Sequence, residues 1–368
     1  MDIHAKNVIR LLGASAAIVA GAVLLTFVVD PLQLFRPARL FAAMYSTDSR
    51  FQDAGLIRSQ TFDTIFMGTS LAIHFRQSDI DRALGVRSLK LSMTGSSGRE
   101  QVFVLSSAME RRPKRVIWQM DDWIFRDTTE IDADIYIPAN LYRRNVRGLA
   151  DYLLSGAMAR ESLWIALRSI PPLKPVIAGL TRGMLFEFRI ADIDDLNVLR
   201  PDSDIGALYN AKRAMTSFER ISSPANAGYL GEGYSYELQA KNFEHDAIGL
   251  IERNPNVQFD IYFPPYSILQ WVAMRDASPV TLKTVYEVTE TMARRLARFA
   301  NVRLFDFRAV KDITHDLSQY ADVVHHSPNV DLKILSMMAK GEHVVDRNAP
   351  TASLEELKAQ VAAYRVEH

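Results

Sequence analysis

The 368-residue chain contains no cysteine. That removes disulfides, thiolate nucleophiles and Cys-ligated zinc from consideration, while selecting no compartment. It also lacks a surplus of charge of either sign, since 43 Lys and Arg balance 43 Asp and Glu. With no global field to draw polyanions, nucleic-acid binding is disfavoured. Internal repeats and low-complexity tracts are missing, as is any second apolar run long enough to cross a bilayer. What is present, 48% hydrophobic and 23% charged residues, is the composition of a folded protein with one large core or two ordinary ones.

The single long apolar run is "LLGASAAIVAGAVLLTFVV", Leu11 to Val29, 19 positions without a charge between Arg10 and Asp30. At a helical rise of about 1.5 Å per residue it covers about 28 Å, close to the hydrocarbon thickness of a bilayer. It is longer than the apolar part of a secretory signal and is followed by "DPLQLFRPARLF", not by a small-x-small cleavage site. An uncleaved N-terminal membrane anchor over residues 1–32 is therefore expected, with nearly all of the remaining chain on one side. Lys6 and Arg10 on one flank are matched by Arg36 and Arg39 on the other, so the positive-inside rule does not orient it.

From Phe62 onward, strand and helix patterns alternate. Strands are expected in "FDTIFM", "RSLKLSM", "KRVIWQMDDW", "VQFDIYF" and "VRLFDF", and helices in "REQVFVLSSAMERR" and near 236–253, 280–299 and 330–340. This is the rhythm of a parallel, doubly wound α/β sheet flanked by helices. A helical stretch near 139–188, broken at "PPLKP", and a loop-rich stretch near 190–235 interrupt it. The expected organisation is one α/β domain over 33–345 carrying a helical and loop insertion at about 139–235, then a C-terminal helical tail over 346–368. The tail "SLEELKAQVAAYRVEH" opens with a capping-box pattern from Ser353 to Glu356 and reads as a helix packed on the outside or frayed.

Several chemical readings are weak. "TGSSGRE", Thr94 to Glu100, sits between a strand and a helix, but Arg99 and Glu100 stand where a phosphate loop needs Lys and Ser or Thr. Its backbone can still form an anion-binding turn. The acidic stretches "EIDADIY" and "IADIDDLNVLRPDSD" lack calcium-loop spacing and read as solvated loops. His74 has apolar neighbours and reads as a packed histidine. No metal or cofactor site is expected.

Two segments are stronger. In "FDTIFMGTSLAIHF" a strand meets Gly68, Thr69 and Ser70; Ser70 is either the cap of a following helix or a nucleophile presented at the strand end. In "YADVVHHSPNVDLKIL", Asp322 lies three residues before His325, ahead of a helix start signalled by Ser327 and Pro328. An acid and a histidine this close can share one turn, the carboxylate holding one imidazole N–H and leaving the other nitrogen to take a proton. His326 competes for that role, and a polar helix entrance without chemistry is the alternative.

Taken in order, "FDTIFMGTS", "LKLSMTGSSGREQ" and "DVVHHSP" resemble the blocks of the SGNH/GDSL hydrolase-like superfamily. The branch they suggest is membrane-anchored and bacterial, related to cell-envelope polysaccharide O-acetylation and teichoic-acid acyl-transfer proteins; the linker "DPLQLFRPARLF" is also like it. The resemblance runs from Asp30 to about Lys340, apart from the insertion. It implies a flavodoxin-type parallel sheet with Ser70 as nucleophile, His325 as base, Asp322 as orienting acid, and the Ser70 and Gly95 N–H groups as oxyanion hole. Two departures stand out. Thr69 replaces the usual Asp, and "WQMDDWIF" places Asp121 and Asp122 in the block that often supplies an Asn, although an acid is a poor oxyanion donor unless protonated.

The function implied is serine-dependent O-acyl transfer, of acetyl, to an envelope or secreted polysaccharide or acyl-sugar. It would proceed on the periplasmic face of the inner, cytoplasmic membrane, without cofactor, metal or nucleic acid. Acetyl-CoA is confined to the cytoplasm, so a membrane-bound acyl-passing partner is implied. The alternatives are an SGNH-type carbohydrate esterase or deacetylase using water, and an inactive scaffold in a polysaccharide-export assembly.

Overall fold

The computed structural model describes residues 3–126, 137–143, 145–173, 176, 188–195, 205–223 and 235–366. In chain order the main elements are α1 (Ile3–Val29), β1 (Tyr45–Ser46), α2 (Ser49–Ser59), β2 (Thr64–Gly68), α3 (Gln77–Leu84), β3 (Ser88–Ser92), α4 (Gly98–Met109) and β4 (Arg115–Gln119). Next come α5 (Val146–Leu153), α6 (Gly156–Arg168), β5 (Phe188–Ile190), α7 (Ala211–Ile221) and α8 (Tyr236–Phe243). The last are β6 (Gln258–Phe263), α9 (Ile268–Ala277), α10 (Pro279–Leu296), β7 (Val302–Asp306), α11 (Pro328–Lys340) and α12 (Ala352–Ala363).

The chain divides into two compact units, Met1–Gln60 with Ile137–Leu196, and Thr61–Tyr136 with Asn197–His368. The stretch read as one insertion is thus shared: α5, α6 and β5 belong with the N-terminal unit, and α7 with the sheet.

In the N-terminal unit, α1 is long and apolar enough to cross a membrane. It ends at Asp30, whose φ of 50° turns the chain sharply. The Asp30 carboxylate accepts the Leu34, Phe35 and Arg36 N–H groups and the Tyr152 hydroxyl of α5. The "DPLQLFRP" linker is therefore a built corner, with three of its backbone donors satisfied by the Asp30 carboxylate. α1 also packs against α6, and β1 pairs antiparallel with β5.

In the second unit, five parallel strands lie in the order β3-β2-β4-β6-β7. Counted along the chain this is order 2-1-3-4-5, and the winding reverses between β2 and β4. β2 and β3 are buried along their whole length; β2 reads as a short apolar run, while β3, SLKLS, alternates apolar and polar residues. Lys90 on β3 is only 3% exposed, and its Nζ donates to the Ile73 carbonyl at 2.9 Å. One core cluster joins Phe66, Ile117, Tyr262 and Phe305 of the sheet to Ile334, Leu335 and Met338 of α11. A second is built on α9, with Trp271 and Leu269 packed near Leu354, Leu357 and Val361 of α12.

The structure corrects two sequence readings. The tail helix is not capped by Ser353: the helix begins at Ala352 after Thr351, and the Ser353 hydroxyl donates instead to Asp306 Oδ2 at 2.8 Å. Its apolar face is buried while its other face stays exposed, so it is packed on the outside of the sheet unit and is not a frayed end. The helix near 236–253 is real but contains a π-turn at Glu244–Ile248 between α8 and Gly249–Arg253.

Candidate active site

β2 delivers Gly68, Thr69 and Ser70 to the carboxyl end of the sheet, beside the point where the winding reverses. Open α/β sheets place their ligand crevice there. Gly68 is needed for space, because a Cβ would come within 2.5 Å of both Ala72 Cβ and Gln119 Oε1. The strand leads only into a 3₁₀ turn, Ser70–Ala72, and the next α-helix waits until Gln77. Thr69, without a side-chain capping bond, holds the cap position of that turn, and the Ser70 hydroxyl faces elsewhere. It lies 2.9 Å from His325 Nε2.

His325 is held by the segment before α11. Tyr320 pairs with His326 in a β-bridge, the Ala321 N–H donates to the His325 carbonyl, and the Ser267 hydroxyl donates to the Val323 carbonyl. Asp322 turns back on this loop. Its Oδ1 accepts the Val324 and His325 N–H groups, each at 2.8 Å, and its Oδ2 lies 2.7 Å from His325 Nδ1. With Nδ1–H donated to a carboxylate, Nε2 is the basic nitrogen and Ser70 the donor to it.

Electrostatics agree with this assignment. Burial pushes the Asp322 carboxyl up, but the His325 hydrogen bond and charge, with the two N–H bonds, outweigh it and hold the group below its ordinary value. For His325, burial alone would lower the pKa; the hydrogen bond and charge of Asp322, helped by Asp121, raise it above 6.5.

Gly95 lines the same cleft at φ +63°, a left-handed conformation that strains a residue with a Cβ. Neither its N–H nor that of Ser70 has a hydrogen-bond partner among the described residues. Ser70, His325, Asp322 and Gly95 are thus brought together on one cleft of about 530 Å³. The anion-binding turn read in "TGSSGRE" contributes Gly95 to it, while Ser97 and Glu100 form a reciprocal capping box that opens α4.

Asp121 and Asp122 also line the cleft, with different partners. The Asp121 carboxylate accepts the Thr69 and Tyr266 hydroxyls at 2.6 Å each, so the residue just before Ser70 is tied to the acid that follows β4. Burial pushes the Asp121 carboxyl up, and these hydrogen bonds oppose the rise. Asp122 is pushed up to about 6, by burial and then by the charge of Asp121. Its Oδ2 has no hydrogen-bond partner among the described residues.

His326 does not line the cleft. It is buried and faces Asp331 of α11, with Nδ1 3.2 Å from Asp331 Oδ1. His74 is the packed histidine expected of it: Nε2 lies 2.8 Å from the Tyr209 hydroxyl, and burial lowers its pKa to about 4.

Sequence reasoning missed Tyr266, Trp123, Arg126 and Arg220, all on the cleft wall. Trp123 and Arg126 come just after the end of β4, at the switch point, and that position alone could have drawn notice. The acidic stretch 130–136 lies outside the described residues, as does 196–204 of the second. No protein-family model matches this chain, and no curated protein matches it.

Proposed function

We propose that the protein is an SGNH-type serine O-acyltransferase that moves an acetyl group onto an envelope or secreted polysaccharide, outside the cytoplasm, from a single-pass membrane anchor. The observation that carries this reading is the continuous chain Ser70 Oγ to His325 Nε2, at 2.9 Å, and His325 Nδ1 to Asp322 Oδ2, at 2.7 Å, on an open cleft. A helix-capping serine and a polar helix entrance have no reason to meet across 255 residues of sequence.

In the first half-reaction Ser70 Oγ attacks the acyl carbonyl while His325 Nε2 takes its proton. The oxyanion faces the Ser70 and Gly95 N–H groups. Collapse expels the donor's oxygen, which leaves with the proton from His325 and yields an acyl-serine. In the second half His325 deprotonates a sugar hydroxyl, which attacks the acyl-serine, and Ser70 regains the proton on release. Water in place of the sugar gives the esterase alternative with the same residues. Acetyl-CoA does not reach that side of the membrane, so the donor is an acyl group passed by a membrane partner.

The test is turnover of p-nitrophenyl acetate by the full chain in detergent. The reading expects release of nitrophenol that Ser70→Ala abolishes, and acetylated sugar when a soluble oligosaccharide is added. Release without sugar product assigns the esterase. Release unaffected by Ser70→Ala removes Ser70 from the mechanism, and absence of both reactions favours the inactive scaffold.

A further inference from the structure

The N-terminal unit carries apolar side chains that its own core does not cover. On α6 the buried face is Glu161, Ser162, Trp164 and Ile165. The opposite face is also apolar: Leu163 is 50% exposed, and Ile170, just past the helix end, 43%. Leu173 continues the patch. The connector joins it, since the Ala42 N–H donates to the Ser169 hydroxyl and Leu40 nearby is 73% exposed.

The position of α6 relative to α1 says what covers this patch. α6 and α5 pack on α1, whose protected residues fall in its last turns, with Thr26 and Val29 buried. Two registers of α1 in a bilayer can be compared. Placing residues 3–21 in the hydrocarbon would lift the packed turns clear, but it would put Lys6 and Arg10 inside, where a charged side chain is costly. The uncharged register, Leu11–Val29, avoids that cost and leaves Arg36 and Arg39 just beyond the membrane. A helix packed against the final turns of that register lies at the level of the bilayer boundary.

We infer that the outward face of α6 and the turn after it, with Leu163, Ile170, Leu173 and Leu40, is a second membrane contact, seated in the interfacial layer of the bilayer that α1 crosses. It is a monotopic contact in its amphipathic character, and the exposed Arg39 just past the span supplies a cation for lipid headgroups. Anchor and contact together hold this unit at a fixed depth, which one free helix would not do. The inference rests on α1 being a membrane span.

The absence of cysteine makes the test clean. Single variants Leu163→Cys, Leu173→Cys, Ile18→Cys and Val280→Cys of the full chain are labelled with an environment-sensitive NBD probe. They are then reconstituted in phosphatidylcholine/phosphatidylglycerol vesicles containing doxyl-labelled phosphatidylcholine. The expected result is strong quenching at Ile18, at least half as much at Leu163 and Leu173 with shallow doxyl groups, and none at Val280 in the sheet unit. Quenching at Ile18 with Leu163 and Leu173 behaving like Val280 would overturn the contact and leave the anchor standing. No quenching at Ile18 would sink the anchor and the contact with it. Quenching at Leu163 and Leu173 that appears only on diluting protein into excess lipid would assign the face to a second copy of the chain instead.

Discussion

Two histidine–aspartate pairs sit side by side at the entrance of α11, built from the same residue types: both histidines and Asp322 are on the loop before the helix, and Asp331 is in its first turn. In His325–Asp322 both side chains are about one-third exposed, at 33% and 32%; in His326–Asp331 they are 2% and 3% exposed. The first pair meets a hydroxyl across a cleft. The second meets a closed interior that also holds Lys90 and His74. The acid holds the imidazole nitrogen in line at 2.7 Å in the open pair, whereas the sealed pair approaches off the line of a good hydrogen bond. A one-residue step along the chain therefore separates a pair open to the cleft from a sealed one. What separates them is access to the cleft and to the Ser70 hydroxyl, not composition.

The largest effects should come from breaking the open pair's contact with Ser70. Ser70→Ala and His325→Ala should each lower kcat by about three orders of magnitude or more, and the double variant should be little worse, because the members act as a unit. Asp322→Asn should cost about 100- to 10,000-fold in kcat and also change the pH profile. His325 must be neutral to act as base, and Asp322 raises its pKa above 6.5, so activity should fall on the acid side at a pH above that value. Losing the carboxylate should move this acid limb to lower pH, and a kcat profile from about pH 5 to 9 reads the displacement. An unmoved limb would mean that another group titrates.

Breaking the sealed pair should do the reverse. His326→Ala should retain kcat within a few-fold at a temperature where it is folded, and lose about 3 kcal/mol of stability, because a buried ring is removed and the buried Asp331 carboxyl loses its facing imidazole. Urea unfolding and p-nitrophenyl acetate turnover on one preparation give both numbers. Loss of kcat at unchanged stability would make His326 part of the chemistry and dissolve the contrast.

Much of this was legible in the chain. Strands buried on both faces read as short apolar runs, which made "TIFMG", "RVIWQ" and "QFDIYF" visible, while "SLKLS" was visible by its alternation. Ser70, Asp322 and His325 were legible as candidates because each sits at a strand or helix end with the spacing its chemistry requires. α9 was not legible: Ile268 to Met274 are all buried, so the segment lacks the one-sided pattern that marks a helix. The Ser353 cap failed for a different reason. Its hydroxyl goes to Asp306, 47 residues away, which is bound bidentately by Arg308, and no local pattern announces a tertiary partner. Nor did local pattern say that Thr69 and Asp121, 52 residues apart, would be joined by a hydrogen bond.

The smallest effect concerns Asp122 and sharpens the contrast within the cleft itself, where burial separates a useful charge from a costly one. Asp322 is stabilised as a carboxylate by His325 and two N–H groups, whereas Asp122 is pushed up to about 6 by burial and by Asp121. The sign comes from comparing the folded value with the ordinary 3.8. Between 3.8 and about 6 the unfolded chain releases this proton while the folded chain keeps it, so stability falls as pH rises through that window and stays lower above it. Asp122→Asn removes the titration. The variant should be about 2 kcal/mol more stable than the parent at about pH 8, a value discounted from the full shift because Asp121 also readjusts, and indistinguishable from it at about pH 3.5. Thermal unfolding at the two pH values measures the difference. A variant less stable than the parent at the higher pH would show that the Asp122 carboxylate is held by a favourable partner, and would place it with Asp322 as a stabilised charge.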